Sequence, residues 1–495
     1  MFTTDFRLPS GLVFAVFLAN NALAASIPPW PRDVRGAQLT SVAVKLNTEG
    51  LRARDARTRT EIVEDLVRRA HPSLKYAKRN PGLNVSPLIT SISPEELDEL
   101  VQRAVTNDPS YVPTDFSAWF KVHFAGNETT EGVTEVLGNL IGFDEVASCQ
   151  PLAGAPQPAA VPKLKPGDDP LFKQQGYLTE AGINVKYAWG FPGGDGAGTA
   201  VIDVERGWQL EHEDLVAKNI TLLAGLNVLD RYGGNYPHGT AVLGEMLMVD
   251  NKIGGVGIIP NAKGNVVGTH RDVDGGLSEN QPEAIVDAAR FLKPGDAMVL
   301  EMQTGDAVEP NPNLWPIEIL DAEFEAIRLA VALGIIVIEP ASNGGVNMDE
   351  PLMRVGDPTP RTFLKKGAPD FRDSGAIIVG SATSGIPHAR LNSSNYGSRV
   401  DAYSWGENIL TSSVNSAYED IYTNFSGTSG ASPIIAGAVL SVQGMLAANG
   451  RKKLTPAEMR KLIVVGGTPS ANPKSDKIGV QPNLKALIDG GHLKD

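Results

Sequence analysis

From residue 171 onward, short β-branched runs alternate with helical segments, and this alternation constrains the fold more than any other feature. The runs are Thr199-Ala-Val-Ile-Asp203, Ala297-Met-Val-Leu300, Gly334-Ile-Ile-Val-Ile338 and Gly375-Ala-Ile-Ile-Val379. Between them Gly239–Met248, Pro282–Phe291 and Ala322–Leu333 read as helices by composition and period. Strands that are apolar without alternation are buried on both sides, so the sequence predicts a parallel sheet covered by helices on both faces. Residues 171–495 are expected to form one α/β domain.

The chain ahead of that domain divides into three parts. Arg7, the apolar run Leu12–Ala19 and the small residues Ala22-Leu-Ala24 read as a secretory signal over residues 1–24, too short to span a bilayer. No other segment reads as a membrane span, so the protein is expected to be secreted and extracellular without a membrane anchor. Residues 25–150 read as a small α+β domain. Its helices are Thr58–Ala70, a segment from Ser93 to Val105 with Glu96 completing a capping box, and Thr130–Leu140. Its strands are Ala118–Phe124, which holds His123 as a packing residue, and Glu145–Gln150. Residues 151–170, rich in proline and small residues, form an extended linker. The single cysteine, Cys149, excludes an intrachain disulfide and a cysteine-based zinc site, and a net charge of −13 argues against nucleic acid as a partner.

Four polar residues stand where the α/β domain can use them. Ser429 lies in Gly427-Thr-Ser-Gly430, just ahead of an apolar helix from Ala431 with Pro433 in its first turn and Gly450 as its stop. A hydroxyl there sits beside unpaired N–H groups, although Ser and Thr also serve as plain caps. Asp203 closes the first strand, at the end where parallel sheets bind ligands, and reads equally as a cap. His238 opens a small-residue helix. Asn343 follows the strand Ile335–Ile338, either as a left-handed turn residue or as a neutral donor. His212, in Glu211-His-Glu-Asp214, reads as part of a solvated loop.

Taken together, Asp203, His238, Asn343 and Ser429 supply an orienting carboxylate, a base, an oxyanion donor and a nucleophile. With Ala200-Val-Ile-Asp203, His238-Gly-Thr240, Asn343-Gly344, Gly427–Pro433 and Val480-Gln-Pro-Asn-Leu484, residues 171–490 resemble the subtilisin-like serine proteases. The resemblance implies a three-layer domain with a mainly parallel sheet. It also implies a monomeric serine endopeptidase that acts on proteins or peptides through an acyl-enzyme, with no cofactor for the chemistry. By the same resemblance residues 25–150 stand where the family has an inhibitory pro-domain, so the chain is expected to be a zymogen. Met302, Gln303, Thr304 and Gly305, with Glu339–Ser342, should line the substrate cleft, where Gln303, Asp306 and Glu339 would narrow it or favour basic residues. The loop Val249–Gly255 matches the family's calcium loop, with Asp214 and Asn251 as side-chain ligands of a structural Ca2+. One departure stands out: Val204-Glu205 follows Asp203, where the family has Thr or Ser and then Gly. An inactive scaffold, an acid-adapted relative with Glu in place of His, and a transpeptidase are the competing readings.

Overall fold

The computed structural model describes residues 41–48, 58–71, 83–124, 130–152, 171–228, 238–273, 276–307, 313–355 and 357–493. The signal reading of residues 1–24 and nearly all of the linker lie outside these residues.

The N-terminal unit is a four-stranded antiparallel sheet crossed by two helices. Its strands are β1 (Ser41–Leu46), β2 (Leu83–Pro87), β3 (Trp119–Phe124) and β4 (Val146–Pro151), in the order β2-β3-β1-β4. The sequence reading missed β1 and β2, which carry weaker turn signals. Helices α1 (Arg59–Ala70) and α3 (Thr130–Leu140) cover one face, and α2 (Pro94–Asn107) lies apart from them. Val42, Val44, Leu46, Phe120, Val122 and Phe124 alternate onto the α1/α3 face and close its core. Capping boxes at Thr58/Glu61 and Ser93/Glu96 start α1 and α2.

The larger domain is built on a nine-stranded sheet. In chain order its strands are β5 (Ala200–Glu205), β6 (Thr221–Ala224), β7 (Lys263–Gly268), β8 (Ala297–Leu300), β9 (Ile336–Pro340), β10 (Ile377–Ala382), β11 (Ala402–Trp405), β14 (Thr468–Pro469) and β15 (Val480–Gln481). The spatial order is β14-β15-β11-β10-β9-β8-β5-β7-β6, parallel throughout except for β14 against β15. A hairpin of β12 (Ile409–Val414) and β13 (Asp420–Phe425) stands beside it.

Helices α5 (Gln281–Phe291) and α6 (Asp321–Ala332) pack on one face, where Ile202, Val204, Met298 and Leu300 point. Helices α4 (His238–Leu247) and α7 (Thr428–Ala448) pack on the other, against Val201, Val299 and Ile338. This is the three-layer α/β fold that the sequence implied. Helix α7 is long and apolar enough to cross a membrane, contrary to the sequence reading, but all of it from Thr428 to Leu446 is buried inside the protein. It also starts three residues earlier than expected, so Pro433 lies in its second turn and leaves the Ser429 carbonyl without its helical donor.

The free face of the N-terminal sheet docks on the starts of α5 and α6. Gln150 Oε1 accepts the Asp321 and Ala322 N–H groups at 3.0 and 3.2 Å, capping α6, whose own N-cap Leu320 offers no side chain. Ser148 donates to Asp321 at 2.6 Å. Lys45 and the Trp119 indole both donate to Glu325, at 2.6 and 2.7 Å. In return Glu283 of α5 accepts the N–H groups of Thr90 and Ser91, each at 2.8 Å.

Arg399 ties the sheet to the segment ahead of α6. It donates to both oxygens of Glu318 at 2.7 and 2.9 Å, to Asp401 at 2.8 Å and to the Ala376 carbonyl at 3.0 Å. Arg399 and Glu318 are both fully buried. Against the penalty of burial, the carboxylates of Glu318, Asp401 and Asp373 hold the guanidinium pKa above its usual value. Arg399→Ala would leave Glu318 charged and unpaired, and is expected to cost about 3–5 kcal/mol in chemical denaturation. A midpoint equal to that of the wild type would contradict this account.

Candidate active site

Strand β5 runs two residues further than the sequence suggested, and this changes which carboxylate meets His238. Successive side chains alternate across a strand, so Asp203 and Glu205 project from the same face. Glu205, at the very end, pairs through Oε2 with Nδ1 of His238. Asp203 is fully buried one step behind, where its Oδ2 accepts the Trp208 indole N–H at 2.7 Å and its Oδ1 has no partner. Burial, and then the charge of Glu205, push the Asp203 pKa well above the usual carboxylate range. The expectation that Asp203 orients His238 is therefore corrected: Glu205 does. The signal available in the sequence was the i, i+2 spacing of the two acids.

His238 is the first residue of α4 and is nearly buried. With Glu205 as acceptor, Nδ1 donates, and in the neutral ring Nε2 is then the lone-pair nitrogen. Nε2 is buried and has no hydrogen-bond partner. The ring stands edge-on to Phe425, with centroids 5.0 Å apart at 78°. Gly239 allows the close approach that holds this geometry, because a Cβ there would lie 2.5 Å from the Trp208 ring. Thr240 Oγ1 accepts the Gln209 N–H at 2.9 Å and fixes the turn that follows β5.

Ser429 is the second residue of α7. Its N-cap, Gly427, has φ 84°, a conformation that a side chain would strain. Helices α4 and α7 pack together. A Cβ on Gly430 would lie 3.4 Å from Phe425, so the His238 ring and the residue after Ser429 share one neighbour. Asn343 Oδ1 accepts from the Thr428 N–H at 3.0 Å and from its hydroxyl at 3.2 Å. That leaves the Asn343 NH2 group as a donor beside the N-terminal N–H groups of α7.

Of the expected cleft residues, Gln303 accepts the Asn343 backbone N–H at 3.2 Å, and Thr304-Gly305 pairs with Leu314-Trp315. Met302 is buried. Two acids expected in the cleft are committed elsewhere. Asp306 accepts from Asn313 and from the Trp315 indole, and Glu339 is fully buried and accepts the Glu318 N–H at 3.0 Å.

The solvated-loop reading of His212 is also corrected. His212 is fully buried, with Nε2 on the Ile421 carbonyl at 3.1 Å. Asp214 accepts the Gly255 N–H at 3.0 Å, while its Oδ1 is buried without a partner. Burial pushes the Asp214 pKa up to about 7. Asn251 Oδ1 accepts the Ile253 N–H at 2.9 Å, and its amide donates to the Glu213 carbonyl at 3.4 Å. Among the described residues, no group of three or more His, Cys, Asp or Glu side chains is placed to hold a metal.

Two further acids that the sequence reading passed over lie at this site. Glu245 of α4 is fully buried with neither oxygen bonded. Glu301, directly after β8, is nearly buried and likewise has neither oxygen hydrogen-bonded, and burial pushes its pKa well above the usual carboxylate range. Their positions on adjoining elements could be read from the sequence, but their burial could not.

The model of the subtilase family matches residues 229–478, half of the chain. That span holds His238, Asn343 and Ser429 and begins after both carboxylates of β5. An intracellular serine protease of Paenibacillus polymyxa is 26% identical over 306 residues, covering 60% of this chain and 82% of its own. An extracellular protease of Xanthomonas campestris is 27% identical over 337 residues, covering 61% of this chain and 52% of its own. Two solved structures share the fold. The epidermin leader peptide processing serine protease of Staphylococcus aureus aligns over 92% of this chain and 99% of its own, with TM-score 0.53 and 16% identity. Fervidolysin of Fervidobacterium pennivorans aligns over 94% of this chain and 64% of its own, with TM-score 0.53 and 17% identity.

The two acids of β5 can be separated by experiment. Glu205→Gln is expected to slow the labelling of Ser429 by a fluorophosphonate by about 10³–10⁴-fold, as loss of the orienting carboxylate does in such triads. Asp203→Asn keeps the Trp208 contact and is expected to slow labelling by less than ~10-fold. The reverse ranking would return the role to Asp203.

Proposed function

The chain belongs to the subtilase family of serine proteases, and from that premise we propose that it is a secreted zymogen whose endopeptidase site is Ser429, His238, Glu205 and Asn343. The observation that carries this reading is the state of His238: Nδ1 engaged by a buried carboxylate, and Nε2 buried without a hydrogen-bond partner.

The steps follow from the chemistry of these groups. Nε2 takes the proton of the Ser429 hydroxyl as Oγ attacks the peptide carbonyl. Glu205 keeps the proton on Nδ1 and stabilises the imidazolium that forms. The Asn343 amide and the Ser429 backbone N–H meet the oxyanion, and one such donor is worth roughly 2.7–4 kcal/mol of barrier. His238 then gives its proton to the leaving amine. Water, activated by the same nitrogen, hydrolyses the acyl-enzyme. The segment Met302–Gly305 forms a wall for an extended substrate.

Supporting the zymogen reading, the N-terminal unit has a core of its own yet docks on the protease domain, capping the start of α6 and sharing an apolar cluster with α5 and α6. The proline-rich stretch at 151–170 is suited to entering a cleft as an extended strand. Secretion rests on the signal pattern over residues 1–24. Related proteins include one named extracellular and one named intracellular.

Ser429→Ala is expected to abolish peptidase activity and to accumulate as an uncut precursor beginning near Ala25. Maturation of that variant to normal size in a host lacking other proteases would show that processing is not autocatalytic.

A structural calcium ion belongs to the same reading. Its oxygen ligands would be Asp214, whose free Oδ1 is buried, and Asn251. A cation there would keep Asp214 ionised despite its burial. Chelator is expected to lower the melting temperature by several degrees, with recovery on adding calcium. An unchanged melting curve would remove the ion from the account.

A further inference from the structure

The loop that carries Asn343 contains a strained residue. Ser342, directly before it, has φ 79°, in the left-handed region that a residue with a Cβ seldom adopts. Ser342 is fully buried and its hydroxyl has no partner, so its own side chain does not stabilise the turn. Such a conformation persists only where the surroundings over-determine it.

The groups that do so come from two other places in the chain. The peptide between Ser342 and Asn343 is held at both ends: its carbonyl accepts the Asn395 backbone N–H at 3.1 Å, and its N–H donates to Gln303 Oε1 at 3.2 Å. Asn395 lies between β10 and β11 and is fully buried. Its side-chain amide donates to the Ala341 carbonyl at 2.7 Å, just ahead of Ser342, and its Oδ1 accepts the Val346 N–H at 3.0 Å. The turn is thus bonded before, at and after Ser342.

The same amide also ties in the segment paired with the expected cleft wall. It donates to the Leu314 carbonyl, again at 2.7 Å, and Leu314-Trp315 pairs with Thr304-Gly305. Gly344 lets the two segments close in, because a Cβ there would lie 2.5 Å from the Leu314 carbonyl oxygen and 3.0 Å from Asn395 Oδ1. The Asn395 side chain therefore spends both amide hydrogens and its oxygen on backbone groups around Asn343.

The geometry points to Asn395 and Gln303 as positioning residues: they hold the left-handed turn at Ser342 from both sides and so aim the Asn343 amide at the oxyanion. The inference rests on Asn343 being the oxyanion donor of the proposed site. Asn343 is anchored through Oδ1 to Thr428 of α7, so a shift of its backbone turns its NH2 group away from the start of that helix. A misplacement of about 1 Å can cost a reaction on the order of 10²-fold in rate.

The test is a double-mutant cycle read as the rate of Ser429 labelling by a fluorophosphonate, whose phosphoryl oxygen takes the place of the oxyanion. The chains are wild type, Asn343→Ala, Asn395→Ser and the double variant, each tagged so that it can be separated from the wild-type enzyme used to mature it. Asn343→Ala is expected to slow labelling by about 10²–10³-fold. Asn395→Ser is expected to slow it by about 10–100-fold. In the Asn343→Ala background Asn395→Ser is expected to cost less than ~3-fold, because the group it aims is gone. Equal losses in both backgrounds, or no loss in the single variant, would overturn the inference and leave the proposed function standing. Labelling of Asn343→Ala at the wild-type rate would instead overturn the oxyanion assignment within the proposed function, and the inference with it. If Asn395→Ser does not fold, Gln303→Met decides by the same cycle, since it keeps the length of the side chain and loses the acceptor for the Asn343 N–H. A loss that shrinks in the Asn343→Ala background supports the inference, and an equal loss in both backgrounds, or none, overturns it.

Discussion

Everything at the catalytic end depends on the burial of α7 from Thr428 to Leu446. A helix that is apolar on nearly every face can sit only between layers, and here it fills the space between the sheet and α4. Its first turn is thereby carried to the carboxyl ends of β5, β8 and β9. There its unpaired N–H groups face polar side chains rather than water. Ser429, Asn343 and the start of α4 meet at this point because the helix has nowhere else to go. The close packing of Gly239 on Trp208 and of Gly427 beside Asn343 follows from the same placement.

The layers were legible in the sequence because their signals are local. The helices at 130–140, 282–291 and 322–333 were found within a residue or two, as was the strand at 297–300, whereas the strand read at 375–379 runs three residues further. Apolar period and caps determine such elements whatever surrounds them. What failed depended on neighbours. Reading β5 as ending at Asp203 stopped at the last apolar pair, although Val204 continues the strand and carries Glu205 to its end. Acidic residues disfavour strands in general, and here the parallel ladders to β7 and β8 override that preference. His212 was misplaced for a related reason. A run of charge reads as solvated, but this one tucks under the β12/β13 hairpin, with Tyr422 edge-on to the ring. The sequence reading therefore paired His238 with Asp203, where the structure pairs it with Glu205 two residues on.

The N-terminal unit attaches by a different logic from the one that forms it. Its own core is apolar and one-sided, closed by α1 and α3. The surface it turns to the protease domain combines polar groups that engage helix starts, where backbone donors are already in need of acceptors, with an apolar cluster in which Leu88, Ile89, Leu100, Val101 and Trp119 join residues of α5 and α6. In such a contact the polar groups set the orientation and the shared apolar cluster supplies the buried area.

Two side chains in that contact make its strength depend on acidity. Lys121, on the docked face of β3, has its pKa lowered to about 8 by burial, with Glu283 opposing. Glu323, beside Gln150 at the start of α6, has its pKa raised to about 7 by burial. Each regains its ordinary value when the two bodies part and water returns. Association then carries the full penalty for both charges between those two values. Acid relieves it by protonating Glu323, and base relieves it by deprotonating Lys121. The contribution of these two side chains to the contact is accordingly least favourable between pH values of about 7 and about 8.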